Sequence, residues 1–206
     1  DVGDLIEAFQ GVKDSRKPVV VHINTLKGKG YAPAEQNKEV WHYNGPFHIE
    51  TGEPLYEMTE EDYSDISLNY LLDKMKKDPA VVAITSGTPT VMGFTEDKRK
   101  EVGKQFVDVG IAEETAVALA SGIAANGGKP VYGVYSTFVQ RTYDQIAQDL
   151  CINNSPATIV TFCGSVYGMN DVTHLGLYDI PMMANIPNLV YLAPTTKEEY
   201  LAMLDW

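Results

Sequence analysis

From about residue 65 onward, short apolar runs alternate with amphipathic runs, and this alternation restricts the possible fold more than any other feature. β-branched and apolar runs predict strands at 80–86, 105–109, 129–137, 157–162 and 189–194. Helical periodicity predicts helices at 65–78, after the second strand, at 139–153 and at 196–204. Strands that alternate with helices form a parallel sheet covered by helices. The sequence therefore predicts an α/β domain with an open, mostly parallel sheet and helices on both faces.

The part of the chain before residue 65 lacks this alternation. An amphipathic run predicts a helix over 3–13, and the run KPVVVHINT predicts a buried strand over 17–25. Residues 26–64 are rich in glycine, proline and aromatic residues and have no regular period. Such a long irregular stretch is usually a functional segment or a linker. We therefore predict a short N-terminal piece at 1–25, a connector at 26–64 and an α/β domain at 65–206.

Composition and charge exclude several classes of protein. The formal net charge of −12 leaves no basic face for a nucleic-acid backbone. No apolar run approaches the roughly 18 residues that a membrane span needs, and the N-terminus lacks the basic and apolar regions of a signal peptide. Cys151 and Cys163 form neither a disulfide framework nor a metal motif, which favours a cytoplasmic protein. Both termini interrupt helical patterns, so we expect a piece of a longer protein.

The segment DVGIAEETAVALASGIAANG at 108–127 places an acid at the start of a stripe of small apolar residues. At helical spacing, Glu113 shares one face with Ala116, Val117, Ala120 and Ala124. Glu114 lies on another face, with Ala118, Ser121 and Ala125. Two interpretations of Glu113 remain open. With Gly110 as the N-cap, Glu113 is the third helical residue and can cap the helix; on a buried stripe, its carboxylate is desolvated and can exchange protons near neutrality.

Further candidate residues follow the other predicted strands, where parallel sheets bind ligands. Phe138 and Arg141 are three residues apart and face the same way on a helix, so they are either core and surface residues or an aromatic platform beside a cation. His174 lies in a loop after the strand at 157–162 and is either structural or an acid–base group. The connector's His42 is equally ambiguous. With His48 it lacks the ligand spacing of a metal site, so no metal site is predicted.

Four stretches of the chain resemble the transketolase-like thiamine diphosphate enzymes, and most closely the 1-deoxy-D-xylulose 5-phosphate synthase family. They are VHINTLKGKGYAPAE, DVGIAEETAV, GGKPVYGVYSTFVQRTYDQ and THLGLYD…IPN, in the family's order. The resemblance implies a central fragment, in which 1–25 is the tail of the diphosphate-binding domain and 65–206 is most of the pyrimidine-binding domain. The parent is then a cytoplasmic transferase of isoprenoid and thiamine biosynthesis. It binds thiamine diphosphate with Mg²⁺, whose ligands lie outside this chain, and forms a homodimer through the face that bears Glu113.

The resemblance also implies a chemical role for Glu113. The glutamate of the family's IAE motif hydrogen-bonds N1′ of the cofactor's aminopyrimidine and favours the imino tautomer, which removes the thiazolium C2 proton. The resulting carbon nucleophile attacks pyruvate, which loses carbon dioxide, and the product adds to glyceraldehyde 3-phosphate. By position in the motif, that residue is Glu113 and not Glu114.

Five other residues match site positions of the family. The resemblance implies that Phe138 stacks on the pyrimidine and that Tyr31 contacts the cofactor. It places His42 and His174 near the reacting carbons and Arg141 near the phosphate of the acceptor.

The chain departs from the family's pattern mainly at acceptor positions. Thr115 and Asn170 stand where the family has histidine and aspartate, and FCGS at 162–165 replaces Asp-Arg-Ala-Gly and so lacks an arginine. The alternatives are a divergent synthase-like protein with another acceptor, a split transketolase, or a β-type chain of a 2-oxo acid dehydrogenase. The tyrosine of the connector and YSTFVQRTYDQ favour the synthase type. We expect the isolated fragment to be inactive.

Overall fold

The computed structural model describes residues 1–56, 60–164 and 173–206. It divides into two compact units, Asp1–Thr59 and Glu60–Trp206. The second unit begins slightly before residue 65, at which the sequence predicts the start of the α/β domain.

Within residues 1–56, the N-terminal unit contains two helices, α1 at Val2–Val12 and α2 at Ala32–Gln36, and a 3-10 turn at Val40–His42. Asp1 caps α1, since its side chain accepts hydrogen bonds from two backbone amides of the first turn. The helix predicted over 3–13 is therefore confirmed.

The second unit is built on a four-stranded sheet. Its strands are β1 at Val81–Thr85, β2 at Phe106–Asp108, β3 at Lys129–Tyr135 and β4 at Thr158–Phe162. All three strand pairings are parallel, and the spatial order is β2-β1-β3-β4. Ala83 of β1 lies opposite Phe106 on one side and Val131 on the other. The predicted parallel sheet is confirmed.

Two of the predicted strands, at 17–25 and 189–194, are wrong. Neither segment pairs with any described residue, and Val20, Val190 and Leu192 are 92%, 58% and 47% exposed. A strand is stable only when a neighbouring backbone satisfies its amides and carbonyls. β-branched composition creates a preference for extended backbone, but it does not supply that partner.

The helices of the second unit vary widely in length. They are α3 at Tyr63–Lys77, α4 at Glu96–Val102, α5 at Glu113–Ala125, α6 at Ser136–Val139, α7 at Tyr143–Gln145, α8 at Asp179–Met183 and α9 at Lys197–Asp205. α3 and α9 confirm the helices predicted at 65–78 and 196–204. None of the helices in the described ranges is long and apolar enough to cross a membrane.

The helix predicted over 139–153 is not continuous. α6 passes into a 3-10 turn at Gln140–Thr142, and α7 passes into a π-helical segment at Ile146–Ile152. The buried Thr142 hydroxyl donates to the carbonyl of Val139 at 2.7 Å. A side chain that bonds the preceding turn in this way competes with the regular backbone ladder, which accounts for the break.

Helices cover both faces of the sheet, as predicted. Successive residues of a strand point to opposite faces, so Ile84 and Tyr132 pack with Val117 of α5, whereas Ala83 packs with Leu71 of α3. All five side chains are at most 2% exposed. The two apolar layers hold the carboxyl ends of β1, β2 and β3 at one edge of the sheet, where the candidate site lies.

Candidate functional site

Asp108 joins the carboxyl ends of β1 and β2. Its Oδ1 accepts hydrogen bonds from the amides of Gly110 at 2.7 Å and Gly87 at 3.1 Å, and its Oδ2 accepts one from the Thr85 hydroxyl at 2.9 Å. Gly110 has a φ of +73°, which a residue with a side chain adopts at a cost. Asp108 therefore fixes the turn from which α5 begins.

We expect Asp108→Ala to loosen this turn. Hydrogen exchange of the Gly87 and Gly110 amides should accelerate by about tenfold or more, because each amide loses a bond to a charged acceptor. Asp108→Asn is the matched control, since its amide oxygen can still accept both bonds. Equal exchange rates in the Ala variant and the unsubstituted protein would contradict the role of Asp108.

Glu113 is the first residue of α5, and its side chain is buried. The residue is 2% exposed, whereas Glu114 is exposed. The predicted buried stripe is confirmed, and its members are Glu113, Ala116, Val117, Ala120 and Ala124. The capping interpretation is wrong, because the N-cap is Ala112 and Glu113 is not the third helical residue. Because Asp108 holds Gly110 in the preceding turn, α5 begins at Glu113 and not directly after Gly110.

Arg141 meets Glu113 from the segment that follows β3. Its Nη1 donates to Oε1 of Glu113 at 2.8 Å, and its guanidinium carbon lies 5.4 Å from the centre of the Phe138 ring. The Glu113 side chain is 3% exposed and that of Arg141 48% exposed. Phe138 and Arg141 thus lie on the same side of their segment, as their spacing predicts, and Arg141 connects the aromatic ring to the buried carboxylate.

His174 joins this group from the loop after β4. Its ring lies edge-on to Phe138 at 5.2 Å and to Tyr135 at 6.0 Å, and its Nδ1 is 2.8 Å from the Thr173 hydroxyl. The sequence did not single out Tyr135, although its place near the end of the strand predicted over 129–137 could have identified it. Burial raises the pKa of Tyr135, so its phenol stays protonated at neutral pH.

A close backbone approach at Gly176 positions the described residues that follow His174. Gly164 and Gly176 form an isolated parallel bridge, and a Cβ added at Gly176 would lie 2.2 Å from Oγ of Ser136 at the start of α6. Asn170 and Ser165, two positions of the departures noted above, lie outside the described residues. Cys163, which belongs to the FCGS departure, is exposed.

The two remaining candidates, Tyr31 and His42, belong to the N-terminal unit. The Tyr31 ring packs edge-on against Trp41 at 5.0 Å, and its hydroxyl donates to the carbonyl of Ile49 at 2.9 Å. His42 is exposed, and its Nδ1 contacts Nζ of Lys27. Across the described ranges, no three His, Cys, Asp or Glu side chains converge on a point where they could hold a metal ion.

Comparisons with known proteins agree with this architecture. Residues 60–206 match the family model of the transketolase pyrimidine binding domain. The 1-deoxy-D-xylulose-5-phosphate synthase of Natranaerobius thermophilus is 40% identical over 206 residues, which are 100% of this chain and 32% of the relative. That of Halothermothrix orenii is 39% identical over 204 residues, 99% of this chain and 32% of the relative.

A solved structure described as a split gene transketolase, inactive beta4 tetramer, shares the fold. Its TM-score is 0.56 at 19% identity, and the match covers 68% of this chain and 46% of that one. The chain spans only 32% of the length of the synthases that it matches. Because the family model covers most of its residues, the chain belongs to the transketolase pyrimidine-binding domain family.

Proposed function

We propose that the chain is the central part of a thiamine diphosphate-dependent transferase of the 1-deoxy-D-xylulose 5-phosphate synthase type. The observation that carries the proposal is the buried carboxylate of Glu113 at the carboxyl edge of the sheet, linked through Arg141 to the ring of Phe138. The synthases that are 40% and 39% identical over nearly the whole chain support the same assignment.

The chemistry of the site fits the aminopyrimidine of the cofactor. A flat heterocycle can stack on Phe138, and a buried carboxylate such as Glu113 can accept a hydrogen bond from a protonated ring nitrogen. Thiamine diphosphate, when bound, supplies a thiazolium carbon that reacts with 2-oxo acids. Glu113 would hold the proton at N1′ of the aminopyrimidine, and the side chains around it would orient the ring and exclude water.

The other candidates take supporting roles in this proposal. His174, whose ring lies beside Phe138 and Tyr135, would face the reacting carbons. Tyr31 and His42 of the N-terminal unit would contribute a cofactor contact and a second active-site imidazole.

The full-length protein would be organised as the family resemblance implies. Residues 1–25 would be the tail of a diphosphate-binding domain, 26–64 a connector and 65–206 the pyrimidine-binding domain. Mg²⁺ would bind the diphosphate through residues outside this chain, and two subunits would pair through the face that bears Glu113. We propose a cytoplasmic location, pyruvate and an aldehyde phosphate as substrates, and no nucleic-acid partner.

A different acceptor is the second candidate, and the position of Cys163 favours it. The thiol of Cys163 lies in FCGS, the segment that lacks the family's arginine, and local desolvation raises its pKa, so it stays neutral near pH 7. A neutral side chain there would not bind an acceptor phosphate as an arginine does.

A substrate panel tests both candidates on the full-length protein. With thiamine diphosphate and Mg²⁺, we expect release of carbon dioxide from pyruvate and a five-carbon product with glyceraldehyde 3-phosphate. Higher kcat/KM with an unphosphorylated aldehyde would establish the second candidate. Ketol transfer without any reaction of pyruvate would identify a transketolase instead, and absence of all cofactor-dependent turnover would contradict the proposal.

A further inference from the structure

Arg141 engages only one of the two carboxylate oxygens of Glu113. Its Nη1 donates to Oε1 at 2.8 Å. Among the residues that the structure describes, none donates a hydrogen bond to Oε2. The buried carboxylate therefore has one oxygen held by the protein and one oxygen left to accept a hydrogen bond.

The backbone under Arg141 is firmly held. Arg141 lies in the 3-10 turn Gln140–Thr142, and Thr142 is 0% exposed, with its hydroxyl bonded to Val139. The guanidinium also rests beside the ring of Phe138. The guanidinium is planar, and it is supported by a fixed backbone and by the Phe138 ring. The direction of the hydrogen bond that it donates is therefore fixed.

We propose that Arg141 is a positioning residue for Glu113. By holding Oε1, it orients the carboxylate so that Oε2 alone would be left to bind the aminopyrimidine nitrogen. This inference rests on the proposed function of Glu113, and it differs from the contact with the acceptor phosphate that the family resemblance implies for Arg141. It assigns Arg141 to the step that consumes pyruvate, before any acceptor takes part.

The two assignments predict opposite kinetic effects. If Arg141 positions Glu113, its loss slows carbon dioxide release from pyruvate measured without an aldehyde and leaves the KM for the aldehyde unchanged. If Arg141 binds the acceptor, its loss raises the KM for phosphorylated aldehydes and leaves the pyruvate step unchanged. An effect confined to the pyruvate step thus identifies Glu113 as the partner of the guanidinium, and an effect confined to the KM for the aldehyde identifies the acceptor.

The experiment uses Arg141→Met and Arg141→Lys in the full-length protein. Because the Arg141 side chain is 48% exposed, we expect both variants to fold. Far-UV circular dichroism would check this. We expect Arg141→Met to slow the pyruvate step by about 10- to 100-fold, the range of a hydrogen bond to a charged group. Arg141→Lys keeps the positive charge but lacks the planar guanidinium, so its rate should lie between those of Arg141→Met and the unsubstituted protein.

Cofactor affinity supplies a readout that is independent of turnover. Titration with thiamine diphosphate and Mg²⁺, followed by protein fluorescence, should give a Kd several-fold higher for Arg141→Met, because the carboxylate is no longer oriented. Arg16→Met makes the same change at an exposed position of the N-terminal unit and should alter neither the rate nor the Kd.

Several results would overturn the inference. A pyruvate step within twofold of the unsubstituted rate would do so, as would a lower cofactor Kd, which would mean that Arg141 competes with the cofactor for Glu113. The parallel variant Glu113→Gln separates this failure from that of the proposed function. If Glu113→Gln is inactive while Arg141→Met is not, only the inference fails; if Glu113→Gln is fully active, the proposed function itself fails.

Discussion

Replacing Glu113 with glutamine should lower the rate of carbon dioxide release from pyruvate by about 10²- to 10⁴-fold in the full-length protein, the usual contribution of a positioned proton-transfer group. The amide keeps the size of the side chain but loses the negative charge that would hold a proton at N1′ of the aminopyrimidine. Rapid-quench measurement of labelled carbon dioxide at saturating pyruvate and cofactor gives the rate directly.

Glu114→Gln is the matched control for this experiment. Glu114 is the next residue of α5, but it is exposed, whereas Glu113 is 2% exposed. The control should retain activity within about twofold, because exposed single-charge changes have small effects. Equal losses in the two variants would show that charge near the site matters without any specific role for Glu113.

Replacing Phe94 with alanine should lower the free energy of unfolding of the second unit by about 3–5 kcal/mol. Phe94 is 0% exposed, and its ring lies 4.8 Å from that of Phe106 of β2. The truncation leaves a cavity in the apolar layer between β1, β2 and α3. Since domains are stable by only about 5–15 kcal/mol, this loss brings the unit close to unfolding at ordinary temperatures.

Urea denaturation followed by circular dichroism measures this effect, with Phe9→Ala as the control. Phe9 lies on α1 of the N-terminal unit and is 51% exposed, so its truncation should cost less than about 1 kcal/mol. A loss below 1 kcal/mol for Phe94→Ala would contradict the packing of this layer, because a fully buried phenylalanine always loses apolar burial on truncation.

Much of the candidate site was predictable from local pattern. The three-residue spacing of Phe138 and Arg141 predicted that they face the same way, and helical spacing separated the buried Glu113 from the exposed Glu114. These predictions succeeded because they depend only on the spacing of residues that are close together in the chain. The pairing of Arg141 with Glu113 was not predictable, because it depends on how α5 and the segment after β3 pack against each other.

The sequence by itself determined the class of fold, the parallel sheet and the buried stripe of α5, because strand and helix periods are properties of neighbouring residues. Tertiary structure alone decided which apolar runs became strands, since those at 17–25 and 189–194 form no strand pairing with any described residue. It also decided where α5 begins, because three hydrogen bonds to Asp108 set the preceding turn. Glu113 is therefore buried because of the helical period of α5. It is paired with Arg141 because α5 packs against the segment after β3, which is distant in the chain.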